Sequence, residues 1–226
     1  MLNYTIWTMN PNSSASGKPT PTVVALRLDE GTDQQGFPTA GSWKKASAIV
    51  FDRDWKGENS TPTLATEVRL LWMPETLFLR FLSKYQVLNV YSEARGDGWK
   101  DQLWDRDVAE AFLQPDASDP LNYKEFEVGP NGFWIDLDIS HGAKQELRSA
   151  LKRRVVLDEG DKRWTADLAI PMNSLTETFD AKKDWRVNFY RVEGLKEPRF
   201  YSAWSPTGTP RPNFHVPSAF GTLVFR

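Results

Sequence analysis

Residues 66–82 read TEVRLLWMPETLFLRFL. Val68, Leu70 and Trp72 alternate with Glu67, Arg69 and Leu71, and beyond Met73-Pro74-Glu75-Thr76 the residues Leu77, Leu79 and Phe81 alternate with Phe78, Arg80 and Leu82. A side-chain period of two marks β-strand, and the short proline-containing break marks a reversal, so the stretch is an antiparallel hairpin. Outward from it the pattern recurs over 107–114, 122–129, 133–139, 152–158, 163–170, 185–193, 199–204 and 221–226, with turn residues between. Roughly ten short strands of this kind predict an all-β fold, an antiparallel β-sandwich of the jelly-roll type.

The remaining chain supports one domain over 1–226. A short strand is expected at 3–8, followed by a mobile loop at 10–22 that is rich in Ser, Pro, Asn and Gly, with further loops at 30–42 and 57–62. Helical signals are brief: Ser42 to Ser47, His141 to Ala150, and the turn Pro171 to Leu175, where proline suits a first helical position. No internal repeat of solenoid length is present.

Composition excludes several functions. The 226 residues carry a net charge of −2, 26% charged and 40% hydrophobic residues, and ten tryptophans, which describes an ordinary polar surface around a sizeable core. The basic run Lys152-Arg153-Arg154 is too short for a nucleic-acid footprint and reads as a charged, solvated strand edge. Cysteine is absent, so disulfides, thiolate nucleophiles and cysteine metal sites are ruled out. No apolar run approaches the roughly 18 residues of a membrane span, and Met1 to Trp7 lacks the basic start and apolar centre of a signal peptide. The expectation is a soluble monomer with no membrane or nucleic-acid partner, cytoplasmic as written or extracellular if a leader has been removed.

Strand alternation separates what the core takes from what remains for a ligand. In 185–192, Trp185, Val187 and Phe189 face one way, and Arg186, Asn188, Tyr190 and Val192 the other. In 107–113, Ala109, Ala111 and Leu113 line the core, which leaves Glu110 on an outer sheet surface between Val108 and Phe112.

Catalytic constellations are weak. Glu125 and Glu127 lie on one strand face about 7 Å apart by strand rise, a separation found in inverting glycosidases, but both would stand on one side of a bound sugar. They read as a solvated acidic face, as do Asp136 and Asp138. Only His141 and His215 are available for a triad, and no serine sits in a Gly-x-Ser-x-Gly elbow. Gly96-Asp97-Gly98 is a turn. Asp52, Asp54, Asp101, Asp105 and Asp107 offer hard oxygen ligands for a structural calcium, without the spacing of a calcium loop. Haem on His141 with Met73 or Met172 is a rival reading. Trp43, Trp72, Trp164 and Trp185 fit apolar faces, whereas Trp55, Trp99, Trp104 and Trp134 sit among charges. Trp104 reads as a ligand-stacking ring or as a structural one, and Phe214, between Asn213 and His215, has similar surroundings.

Taken in order, Thr66 to Trp72, Leu77 to Phe81, Leu103-Trp-Asp-Arg-Asp-Val-Ala-Glu-Ala-Phe112, Tyr123-Lys-Glu-Phe-Glu127, Trp164 to Pro171, and Trp204 through Phe220-Gly221 resemble the family 9 carbohydrate-binding modules, within the DOMON-like β-sandwich group. The resemblance runs from about Asp29 to Arg226, and it is to free-standing members more than to modules tethered to xylanases. It implies noncovalent, non-catalytic binding of a terminal sugar clamped between two aromatic rings, here Trp104 and Phe214. The acidic contact falls on Glu110, the late-strand amide near Tyr190 beside Asn188, and a further contact on Asn213. Where sugar-binding members carry a basic residue on the Tyr123–Val128 strand, this chain has Glu127. Asp107 and His215 complete the expected polar contacts. The partner implied is a mono- or oligosaccharide, or the chain end of a plant-type polysaccharide such as xylan or cellulose. Some DOMON-like proteins bind haem instead, for electron transfer or sensing.

Overall fold

A computed structural model describes residues 20–226. The strand expected at 3–8 and most of the 10–22 loop lie outside the described residues.

Thirteen strands are present among the described residues: β1 Thr22–Arg27, β2 Ala48–Phe51, β3 Thr66–Met73, β4 Thr76–Lys84, β5 Val108–Gln114, β6 Asn122–Val128, β7 Trp134–Ser140, β8 Ala143–Glu146, β9 Lys152–Asp158, β10 Arg163–Pro171, β11 Trp185–Glu193, β12 Phe200–Ala203 and β13 Gly221–Phe225. The opening hairpin is β3–β4, with Met73 paired to Thr76 across a two-residue turn. One short helix, α1 (Ala40–Lys45), is capped by the Thr39 hydroxyl, which accepts from Ser42 N. Met172–Ser174 is a single 3-10 turn, as its proline signal suggested.

Two expectations are corrected. The segment 141–150 is not helical: Ala143–Glu146 folds back on β7 as β8, because the left-handed pair His141-Gly142 makes a hairpin turn. The sheet is not wholly antiparallel either, since β1 runs parallel to both β13 and β3.

The hydrogen-bonded order is β8-β7-β6-β5-β11-β13-β1-β3-β4-β10-β9, with β12 added to β11 and β2 to β3. This long sheet curls into a sandwich. Core residues from β3, β4 and β10 (Val68, Leu70, Leu79, Phe81, Trp164, Leu168) share one cluster with Ala109, Ala111, Phe126, Val187 and Phe189 from β5, β6 and β11. The rings of Phe81 and Phe189 meet edge to face across the layers, 6.2 Å apart. On the outer side of β4, a smaller cluster of Leu71, Phe78 and Ala169 is covered by Trp43 from α1.

Lys152-Arg153-Arg154 does lie at the sheet's edge on β9, but two of its members are engaged. Arg154 and Arg80 both bind the buried Asp167 in register across three strands, and Arg153 donates to the carbonyls of Gly132 and Asp97. Among the described residues, no helix is long and apolar enough to cross a membrane.

The Phe220-Gly221 pair has a steric explanation. A Cβ on Gly221 would lie 2.4 Å from the Trp204 ring and 2.6 Å from the Pro21 carbonyl oxygen. Both neighbours are packed, so Gly221→Ala is expected to destabilise the protein by about 1–3 kcal/mol through overpacking. Urea unfolding checks this: an unchanged midpoint would mean that Trp204 moves aside freely.

Candidate functional site

The second face of β5, β6, β7 and β11 is where polar and aromatic residues gather. Alternation sends Val108, Glu110 and Phe112 of β5 to this side, with Tyr123, Glu125 and Glu127 of β6 and Tyr190 and Val192 of β11. Pairing aligns them in rows. Tyr190 lies opposite Glu110 and Glu110 opposite Glu127; in the next row Asn188 faces Phe112 and Phe112 faces Glu125.

Loops then cover this face. Trp104 rides on a 3-10 turn, Leu103–Asp105, entered through left-handed Gln102 and anchored by the buried side chain of Leu103. Arg199 holds the same turn by donating to the Trp104 carbonyl at 3.2 Å. From the other direction comes the segment carrying Asn213, Phe214 and His215. Between them lies a cavity of about 550 Å³, large enough for a small saccharide, with Glu110, Glu125 and Glu127 in its lining.

The carboxylates are the unexpected element. Glu125 and Glu127 are not a solvated face: they are 1% exposed, and Glu110 is 2% exposed. One oxygen from each of the three lies within 4.8 Å of the others. Asp136 is also buried, accepting from Ser149 N, while Asp138 pairs with Lys124. The sequence shows alternation but not which face the loops will cover, so both pairs looked solvent-exposed.

Three ionised carboxylates this close would repel by at least about 3 kcal/mol per pair, even at an effective dielectric constant near 20. They are therefore not all ionised together. Burial, followed by the neighbouring Glu125 charge, pushes Glu110 well above the usual carboxylate range. Burial followed by Glu110 and Glu125 does the same to Glu127. Glu125 is also raised by burial, but its hydrogen bond with Glu127 and the charge of Lys144 oppose the rise. Of the two, Glu127 is the one pushed further toward its protonated form. As bare carboxylates, Glu110 Oε1, Glu125 Oε2 and both oxygens of Glu127 meet no hydrogen-bond donor among the described residues.

Basic groups surround this floor. Lys144 Nζ is 3.8 Å from Glu125 Oε2 and 4.4 Å from the centroid of the Trp104 ring. The β7–β8 register places it opposite Ile139, on the site face. Arg199 lines the cavity but is largely committed to Tyr201, Glu197 and the Trp104 carbonyl. His215 shares a 2.8 Å hydrogen bond between Nδ1 and the Tyr123 hydroxyl, and burial followed by the Lys144 charge pushes its pKa down to about 3, so it is neutral at pH 6 and above.

Of the nine residues expected to contact sugar, Trp104, Glu110, Glu127, Asn213, Phe214 and His215 line the cavity. Tyr190, Asn188 and Asp107 lie outside the lining. Tyr190 is fully buried behind Phe214, with rings 4.2 Å apart and 12° from parallel. Its hydroxyl accepts from Asn188 Nδ2 and donates to the Phe214 carbonyl, and Asn188 also bonds Ser205. Both act as a prop that fixes one face of Phe214 and leaves the other. Asp107 accepts from Asn89 N and Gly194 N, which ties two loops together at the end of the sandwich. Sequence reasoning missed Lys144, Arg199 and Tyr201. Lys144 was hidden by the helical reading of 141–150; Arg199 and Tyr201 belong to 199–204, which reads as a strand without anything that marks these two side chains as part of a site.

Among the described residues, Glu110, Glu125 and Glu127 are the group able to offer convergent oxygens to a hard cation. The five aspartates considered for calcium form no such group: Asp54 is occupied by Lys56 N, Glu58 N and Asn59, and Asp52 by Ser60. His141 is exposed in a turn, Met172 is in the main core and Met73 packs beside α1, so the three do not meet.

A family model for carbohydrate-binding family 9 matches residues 73–225 of this sequence, from the end of β3 to the end of β13. The chain belongs to carbohydrate-binding family 9. That family and its solved members are binding modules, not catalytic domains. A candidate carbohydrate-binding protein from Bacteroides uniformis superposes with a TM-score of 0.73 at 20% identity, covering 92% of this chain and all of its own. A family 9 module from Caldicellulosiruptor kristjanssonii, solved with cellotriose, superposes at 0.64 with 14% identity over 91% of this chain and 94% of its own. An "Extracellular protein" of Arthroderma benhamiae is 25% identical over 196 residues, which is 79% of this chain and 86% of that protein.

The protonated floor has a pH signature. Glu127 is near its ordinary value of 4.5 when unfolded and well above it when folded, so the folded state binds more protons as pH rises above 4.5. The stability this gives is complete below 4.5 and is lost as pH climbs through the folded pKa, at about 1.4 kcal/mol per pKa unit. Glu127→Gln, which never ionises, is expected to gain stability relative to wild type between pH 4.5 and pH 8. A difference that stays flat across paired denaturant titrations would show that Glu127 is ionised in the folded protein.

Proposed function

We propose that this chain binds the end of an oligosaccharide noncovalently, with one sugar ring held between Trp104 and Phe214 over the Glu110–Glu127 floor. The observation that carries this reading is the cavity itself: aromatic rings at its sides, hydrogen-bonding groups at its base, and a volume suited to one or two sugar units. Pyranose rings present apolar C–H faces to aromatic rings and hydroxyls at their rim. Glu110 accepts from ring hydroxyls, while Lys144, Asn213 and His215 serve as contacts around the rim. Asn213 Oδ1 is occupied by His215 N, so its amide N–H groups are the part left to offer.

Solved members of the family support the ligand class, since Caldicellulosiruptor kristjanssonii modules were captured with cellotriose and with glucose. An encounter outside the cell is part of the proposal, in keeping with the fungal relative's description as extracellular. No step of bond cleavage belongs to it. Glu125 and Glu127 occupy one face of one strand, whereas hydrolysis needs carboxyl groups flanking the scissile bond.

Phenylalanine offers less stacking area than tryptophan, so modest affinity is expected. At ~0.3 kcal/mol per heavy atom, a disaccharide of about 23 heavy atoms gains ~7 kcal/mol, a Kd of about 10 μM. Calorimetric titration with mono- and oligosaccharides checks the proposal, with Trp104→Ala as the matched variant. Saturable heat weakened at least tenfold by the substitution is expected; silence from folded wild-type protein across the panel would overturn it.

A further inference from the structure

Resting on the sugar-binding reading, we propose that the preferred ligand is a saccharide bearing a free, protonated amino group, a 2-amino-2-deoxyhexose unit, whose ammonium sits at Glu110 and Glu127 beneath the aromatic rings.

The argument starts from charge. Lys144 at 3.8 Å from Glu125 supplies one cation to a floor of three buried carboxyl groups. Among the described residues no cation forms an ion pair with the register pair Glu110–Glu127, on which the charges of Lys144, Arg199 and Arg191 act only from longer range. Arg199 is engaged elsewhere, with Tyr201, Glu197 and two backbone carbonyls. Asp105 at the rim adds a further negative charge. His215 is held neutral by burial and Lys144, and the hydroxyls of Tyr123 and Tyr190 keep their protons because burial raises both.

A neutral sugar leaves this imbalance where it is. The floor must then stay protonated, and oxygens without donors remain so. An ammonium brings three donors and a full charge to the same place, which lets a carboxyl group release its proton and form charge-assisted hydrogen bonds. Aromatic rings add to this, because their π faces attract cations as well as sugar C–H groups. A bare divalent cation would use the carboxylates but has no need of ring walls or of a cavity this large. The cavity and its floor together suit a ligand that is both a sugar and a cation.

The test compares cellobiose, its fully deacetylated amino counterpart (the chitosan disaccharide) and diacetylchitobiose, at pH 6, by calorimetry with proton release counted in a pH-stat. The expected result is at least tenfold tighter binding of the amino disaccharide than of either neutral one, with net proton release on binding. Glu110→Gln should erase that preference, bringing the amino and neutral disaccharides to within a few-fold of one another, and circular dichroism confirms that the variant folds. Glu127→Gln should reduce the preference and abolish the proton release. Equal or tighter binding of cellobiose would overturn the amine preference and leave the sugar reading intact. No binding by any of the three would remove the sugar reading and this inference with it. Calcium binding to the protein alone, lost in Glu110→Gln and required for neutral sugars, would overturn it in favour of a metal-bridged site.

Discussion

The pleat of β5 and β6 is the constraint on which the rest depends. Consecutive residues must point to opposite sides, so the same two strands that supply Ala109, Ala111, Phe126 and Val128 to the interior present Glu110, Glu125 and Glu127 outward. A one-residue slip in pairing would drive three carboxyl groups into the sandwich core and push its apolar residues out. Register is therefore fixed strongly here, and the position of the site is fixed with it. What makes this face unusual is the second covering, in which Trp104, Phe214, His215 and Tyr201 turn a sheet surface into the floor of a cavity.

Sequence reveals the strands better than it reveals the cover. Period-two patterns placed β5, β6, β10 and β11 within a residue or so, because each has one face that must be apolar, and they placed β9 too, although none of its residues is buried. Val187 and Phe189 pack inward with Ala109 and Ala111, as their alternation indicated. Short edge elements such as β2 and β8 carry no such pattern: β8 has four polar or small residues, and its conformation is dictated by the turn before it and by pairing with β7. The Glu125–Glu127 pair illustrates the other limit. Its alternation was legible and its burial was not, since burial depends on the Trp104 turn and on the distant segment carrying Phe214 and His215. Asn188 and Tyr190 were recognised as important by position, but their work is done behind the site.

The two rings of the site differ in how they are held. Phe214 is braced by Tyr190 stacked on one face and by the hydroxyl bond to its own carbonyl, with Asn188 as the anchor of that chain. Trp104 is held through its backbone, by buried Leu103 beneath and Arg199 at its carbonyl, while Lys144 lies against its ring. Fixing both rings before a ligand arrives lowers the ordering cost that otherwise subtracts from affinity. Binding modules need little more from a scaffold than this.

The position of β13 has a consequence for how the molecule is made. Residues 221–225 lie between β11 and β1 and are the hydrogen-bonded link through which the two halves of the sheet join. During synthesis nearly every other strand is complete before this one leaves the ribosome. Until it does, β1 and β11 each show an open edge, the kind of surface that invites pairing with the wrong chain. Closure also brings together residues about two hundred positions apart, a slow step for any nascent polypeptide. The residues of β13 thus act as the keystone of the arch, and a chain in which they have not yet paired passes through a vulnerable interval with two edges open.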